Sequence, residues 1–262
     1  MDSETWVKTV PAAEARREAA GLTWLAAAPG GARVARVLGT QDGLVLERVR
    51  AGTPTAASAR AFGAALARTH AAGAEGWGSP PPGTGGDGTL GAAVLPTPRR
   101  CPERWGDFYA GYRLLPYLRQ ARDAGILDAA ATRLLERCAG RIADGGLDHD
   151  QPALVAGSAT GVARVHGDLW SGNVLWASPD GEAVLIDPAA HGGHAETDLA
   201  MLHLFGLPHL EEVVRGYREV SPPADGWRER LPLHQLHPLA VHTVLFGAGY
   251  AGQLLAAARR VG

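Results

Sequence analysis

The residues able to do chemistry concentrate in one stretch, His166-Gly167-Asp168-Leu169-Trp170-Ser171-Gly172-Asn173, and in Asp187 a short way beyond it. A carboxylate at 168, an amide five positions on and a second carboxylate at 187 form the set that phosphoryl transfer uses. Asp168 would orient or deprotonate a hydroxyl, while Asn173 and Asp187 supply oxygen ligands for magnesium. Ser178-Pro179-Asp180-Gly181 is a strong turn signal between two β-favouring runs, 173–177 and 182–186. Asn173 and Asp187 each lie seven positions from Asp180, so a hairpin centred there sets them opposite each other. His166 reads as a hydrogen-bonded support for the loop. Asp198, at the start of a helix bearing Leu199, Met201, Leu202 and Leu204, reads either as a helix N-cap or as an anchor for the loop's backbone.

A phosphoryl donor needs its own contacts, and the single lysine of the chain, Lys8, stands out among 25 basic residues. A compact ammonium kept where arginine is otherwise used fits a phosphate contact. Asn173 is likewise the only asparagine. The stretch from Pro11 to about Ala28 has helical periodicity, with Glu18 on the same stripe as Ala15, Leu22 and Leu25. An inward carboxylate needs a partner. Lys8, on the short β run before the helix, is the obvious one, against the alternative of a helix-edge residue paired with arginine or water. Runs at 33–38 and 44–49 flank the turn signal Gln41-Asp42-Gly43 and extend a small antiparallel sheet. The second ends at a strand-to-helix crossover, where backbone groups at Glu47 and Val49 are placed to pair with adenine.

Beyond that crossover the pattern is mainly helical: 55–72, 102–124, 128–144 and the segments from Asp198 onward. Residues 73–91, with Pro80-Pro81-Pro82, read as a surface loop, and no internal repeat is evident. Two lobes are expected, residues 1–50 with the sheet and residues 51–262 with the helical body and the hairpin. The net charge of −2 provides no basic stripe for nucleic acid. Met1–Val10 has no apolar leader segment, which makes the cytoplasm the expected compartment. Residues 231–258 contain no Asp, Glu, Lys or Arg, but prolines, histidines and Gln253 interrupt them, so they read as buried helices and not a membrane span. Cys101 and Cys138 have no metal-ligand spacing and read as packed thiols. His191 and His194 read as solvated loop histidines and not as zinc ligands.

His-Gly-Asp-Leu-Trp-Ser-Gly-Asn, followed by Leu185-Ile186-Asp187-Pro188-Ala189, Glu196-Thr197-Asp198-Leu199-Ala200-Met201 and Phe246-Gly247-Ala248-Gly249-Tyr250, resembles the fructosamine kinase family over nearly the whole chain. The resemblance implies an α+β, bilobal, protein-kinase-like fold and ATP- and magnesium-dependent phosphorylation of a sugar hydroxyl on a ketosamine. The expected partner is then a small glycated amine or a glycated protein, with monomer and dimer both open. By position, Asp168 resembles the catalytic base, Asn173 and Asp187 the magnesium ligands, and Lys8 and Glu18 the phosphate-contacting pair. The same likeness makes Trp170 a sugar-stacking residue, against simple packing, and His242 a substrate contact. Two departures accompany it. Lys8 follows Met1 too closely for the strands and glycine loop expected before it, so the small lobe reads as truncated. The segment His191–Ala195 replaces the family's usual aromatics and arginine, which bears on substrate preference. The rival expectations are an aminoglycoside- or choline-type kinase and a catalytically impaired kinase-like binding protein without a nucleotide lid.

Overall fold

Thr5–Lys8 forms strand β1, and Pro11, with φ at −53°, opens helix α1 (Ala12–Ala26), whose Ala15, Ala19, Leu22 and Leu25 face inward. The computed structural model describes residues 4–41 and 43–261, so Asp42 of the expected turn lies outside the described residues. The run at 33–38 departs from the single antiparallel strand expected of it. Arg33–Val34 (β2) pairs in parallel with the later segment Glu182–Leu185, and Val37–Gly39 (β3) pairs with β4 (Leu44–Glu47). The small sheet therefore has the order β1-β4-β3. Buried Val34 and Ala35 explain the split, because they turn the chain toward the hairpin's apolar core instead of along the sheet.

Thr55 caps α2 (Ala56–Ala71) through a reciprocal exchange with Ser58. The stretch 73–91 is more than a surface loop. It leads into a hairpin of β5 (Gly88–Leu90) and β6 (Ala93–Leu95), and its Ser79 is buried; the Gly78 N–H donates to the Gly192 carbonyl and the Gly192 N–H to the Ser79 carbonyl, each at 2.8 Å. The helix expected at 102–124 is broken in the middle. Between α3 (Trp105–Phe108) and α4 (Leu115–Asp123), residues Tyr109–Leu114 widen into a π turn. That widening places the Tyr109 hydroxyl where it donates to the carbonyls of Leu233 and His234, at 2.9 and 3.0 Å. Pro238 has no N–H to return to the His234 carbonyl four residues earlier, so the tyrosine fills a vacancy in that helix.

Asp128 caps α5 (Ala129–Ala143) by accepting from the Ala131 N–H. A short helix, α6 (Ala153–Ala156), follows. Strand β7 (Ala163–Val165) leads into the Asp168 loop, and β8 (Val174–Ala177) and β9 (Glu182–Leu185) form the hairpin. Strand β10 (His191–Gly193) returns to pair with β7. Helices α7 (Ala195–Phe205), α8 (Leu210–Val220), α9 (Leu231–Phe246) and α10 (Ala248–Val261) complete the chain. One apolar core joins α3, the π turn, α4, α5, α9 and α10. A second joins α1, β4, α2, the hairpin and α8. No helix among the described residues is long and apolar enough to cross a membrane.

Candidate active site

The Asp168 loop is held from behind by α7. Both oxygens of Asp198, 1% exposed, accept backbone N–H bonds, Oδ2 from His166 at 2.7 Å and Oδ1 from Gly167 at 3.0 Å. His70 approaches the same Oδ2 at 3.1 Å and is itself held by the Tyr217 hydroxyl. Burial opposes the Asp198 charge, but His70, His166 and these bonds outweigh it and keep its carboxyl below the usual range. Asp198 lies inside the first turn; the residue that caps α7 is His194, which accepts from the Glu196 N–H. Gly167 sits at φ +80°, and a Cβ there would meet the Ala189 carbonyl oxygen at 2.3 Å, so the turn before Asp168 requires glycine.

His166 ties the two strands of the site together. One ring nitrogen, Nε2, lies 2.9 Å from the Ile186 carbonyl, and Nδ1 accepts from the Asp168 N–H at 3.3 Å. The neutral tautomer protonated at Nε2 satisfies both, and burial lowers the pKa of the ring, so it stays neutral.

Asn173 donates from Nδ2 to the Asp168 carbonyl at 2.8 Å and to Asp168 Oδ2 at 2.9 Å, which leaves its amide oxygen as the atom able to meet a metal. Burial pushes the Asp168 carboxyl up to about 6, against the lowering effect of the Asn173 bond and with help from the charges of Asp187 and Asp198. The hairpin register is one residue off the expected pairing. Val174 faces Leu185, and the Asn173 carbonyl accepts from the Ile186 N–H, so Asp187 falls just past the ladder. There it takes φ 50°, an uncommon conformation for a non-glycine residue, and its side chain leaves the sheet toward Lys8.

Lys8 bridges two carboxylates, Glu18 Oε2 at 2.8 Å and Asp187 Oδ1 at 3.0 Å. Burial would lower its pKa, but the two acids prevail and raise it, so the ammonium stays charged. Burial pushes the Glu18 carboxyl up, and its other oxygen, Oε1, is buried with no partner. A neighbouring cleft of about 250 Å³ is lined by Trp6, Ala35, Leu46, Glu47, Val49, Leu175, Ile186 and Asp187, so both positions expected at the crossover reach it. The Glu47 side chain is engaged by Arg33 at 3.2 Å.

On the other side of Asp168, Trp170 is 40% exposed, and its ring lies over the following turn so closely that a Cβ at Gly172 would meet it at 2.3 Å. The ring begins an aromatic row. Trp170 meets Phe205 edge-on at 6.4 Å, Phe205 lies 4.8 Å from His242, and His242 lies 5.3 and 4.9 Å from Phe246 and Tyr250. His242 is thus in the row, anchored by its Nδ1 to the Pro238 carbonyl at 2.8 Å. The sequence reading assigns no site role to Phe205, Phe246, Tyr250 or His70, although Phe246 and Tyr250 stand in a motif that carries the family resemblance. Phe246, 64% exposed at the end of a buried helix, carries the one signal that reads as functional. His191 and His194, expected to be solvated, are buried, packed among Phe108, Trp105 and other histidines.

Comparison with known proteins gives the family and the fold. Residues 9–261 match the sequence profile described as fructosamine kinase. A relative from Synechocystis sp., described as a probable ketoamine kinase, is 36% identical over 212 residues, covering 80% of this chain and 64% of the relative. The relative YniA of Escherichia coli K12, also described as a probable ketoamine kinase, is 36% identical over 194 residues, covering 72% of this chain and 59% of the relative. The chain thus spans less than two thirds of the length of these curated relatives. The crystal structure of a candidate fructosamine-3-kinase from Thermobifida fusca superposes with a TM-score of 0.81 at 46% identity, covering 94% of this chain and 79% of that one. The chain has a protein-kinase-like α+β fold and belongs to the fructosamine kinase family.

Proposed function

We propose that this chain carries the phosphotransferase site of a ketosamine kinase, in which the γ-phosphoryl group of ATP passes to a sugar hydroxyl of a glycated amine. The observation that carries the reading is the convergence of Asp168, Asn173, Asp187 and the Lys8–Glu18 pair on one edge of the hairpin, between an apolar cleft and an exposed aromatic row. The cleft walls of Leu46, Val49, Leu175 and Ile186 suit a purine. Asp168, with its carboxyl raised to about 6, is ionised at neutral pH yet basic enough to take a hydroxyl proton, and Asn173 fixes its orientation. The free Asn173 oxygen and the half-exposed Asp187 carboxylate are hard oxygen donors that fit magnesium, and Lys8 stands on Asp187 as a cation does. When bound there, magnesium would neutralise phosphate charge. Lys8 would then turn from Asp187 toward phosphate oxygens while Glu18 keeps it aimed. Trp170 offers a face for a sugar ring, and the row through Phe205, His242 and Tyr250 offers room for the amine-bearing part of the substrate. In this reading residues 1–50 form the nucleotide-side lobe and 51–262 the acceptor-side lobe.

The test is a coupled kinase assay with fructosyl-lysine, ribulosyl-lysine, an aminoglycoside and choline, at saturating magnesium and ATP. Turnover of the ketosamines with little of the others is expected; phosphorylation of the aminoglycoside or choline and of neither ketosamine overturns the reading.

A further inference from the structure

A second cluster of reactive side chains lies apart from the hairpin, under the indole of Trp105. His149 comes from the loop before α6, His194 and Glu196 from the start of α7, and His234 from the first turn of α9. Their four donor atoms lie within 4.8 Å of one another. Three of them define a tight triangle. His149 Nε2 is 2.9 Å from His234 Nε2, and Glu196 Oε2 is 3.5 and 3.4 Å from those nitrogens. The point equidistant from the three is ~1.9 Å from each in their plane, so a small step out of the plane reaches the bond lengths of a zinc ion.

The outer atoms are arranged as a metal requires. His149 Nδ1 lies 2.8 Å from the Leu147 carbonyl and His234 Nδ1 lies 3.0 Å from Thr197 Oγ1, so each ring can donate outward and turn a lone pair inward. Arg230 grips the Glu196 carboxylate with bonds of 2.7 and 3.0 Å, fixing its orientation. His194, fully buried on the remaining side, has an Nε2 with no hydrogen-bond partner. Trp105 packs on the rings of His149, His194 and His234 at 4.9, 5.9 and 5.4 Å and shields them from water.

We propose that His149, His234 and Glu196, with the Nε2–H of His194 directed at a solvent ligand on the fourth side, bind one divalent transition-metal ion, zinc by their nitrogen and carboxylate donors. The site pins α9 to the start of α7, two residues before the Asp198 that holds the Asp168 loop. It is distinct from the magnesium set at Asn173 and Asp187.

The experiment uses the full, tag-free chain, stripped with a chelator and reloaded with zinc in excess magnesium, which occupies all-oxygen ligand sets. One zinc per chain is expected to survive gel filtration, and cobalt in its place should give the visible absorption of tetrahedral coordination. His149→Ala should abolish that spectrum. Thr197→Val removes only the acceptor for His234 and should lower zinc affinity ~10-fold, which keeps the test open if the histidine variant fails to fold. A folded wild-type chain that retains no zinc and gives no cobalt band overturns the proposal. So does a retained ion whose affinity in both variants equals that of the wild type.

Discussion

At the scale of single residues, Asp168, the proposed base, is held ionised against stability. Its carboxyl binds a proton more tightly in the folded chain, at about 6, than its ordinary 3.8, because it is buried beside two other acids. A folded-state pKa above the unfolded one means that the ionised form costs stability. That cost is absent below about pH 4, builds between about pH 4 and 6 and is constant above. The two-unit gap converts to ~3 kcal/mol at most, and solvent in the cleft reduces it. Asp168→Asn should therefore melt higher than wild type at pH 7.5 while keeping nucleotide affinity and losing turnover by ~100-fold or more. Calorimetry and initial rates check both halves; an unchanged rate removes Asp168 as the base. The wild-type kcat/KM should fall as pH drops through about 6, because the protonated carboxyl cannot accept the hydroxyl's proton.

At the scale of elements, the largest helix contact rests on two glycines. Helices α2 and α8 approach so closely that a Cβ at Gly63 would meet the Val213 carbonyl oxygen at 1.9 Å, and one at Gly216 would meet the Arg60 carbonyl oxygen at 1.9 Å. Alanine in place of glycine ordinarily favours a helix by ~1 kcal/mol. At Gly216 the backbone has no rotamer by which to move aside, so the cost of overpacking, ~3 kcal/mol, should win. Gly252, in α10, has open space at its Cβ and should show the opposite sign. Urea midpoints of Gly216→Ala and Gly252→Ala test the pair, and a stabilised Gly216→Ala would show that the helices can separate freely.

Those glycines mark where the sequence stops being legible. The helices at 12–26, 56–71 and 129–143 and the hairpin were readable because their apolar spacing and their caps, Thr55 and Asp128, are local. The Asp168, Asn173 and Asp187 set was readable because one hairpin carries it. The division of 33–38 between two sheets, the π turn at 109–114 and the one-residue register shift before Asp187 depend on distant partners, Leu185, the carbonyls of Leu233 and His234, and Lys8. The histidine cluster is the extreme case. Its members are 38 or more residues apart except for His194 and Glu196, and no spacing rule joins them.

At the scale of the molecule, the small sheet and the helical body are joined unequally on the two sides of the cleft. On one side the join is backbone. The Ala35 N–H donates to Leu185, Gly52 to Trp176 and Ser178 to Arg50, with β2 paired to β9 between them. On the other side the joins run through side chains, Lys8 to Asp187 across 3.0 Å, Arg164 to the Trp24 carbonyl at 2.6 Å and Arg17 to the Gly86 carbonyl at 2.8 Å. On the proposed reading, a nucleotide's phosphates and metal would compete with the Lys8 to Asp187 contact and leave the backbone seam alone. The expected opening then turns about the seam of 33–35, 50–52 and 176–185, with the Lys8 end of β1 moving away from Asp187. Hydrogen exchange should find the amides of Ala35, Gly52 and Ser178 slow with or without ligand, because their bonds open only with larger unfolding. Peptides around Lys8 and Asp187 should exchange faster and gain protection when a non-hydrolysable ATP analogue and magnesium are added. If the seam instead gains protection on binding, the hinge lies elsewhere and the Lys8 to Asp187 bridge is not the element that yields.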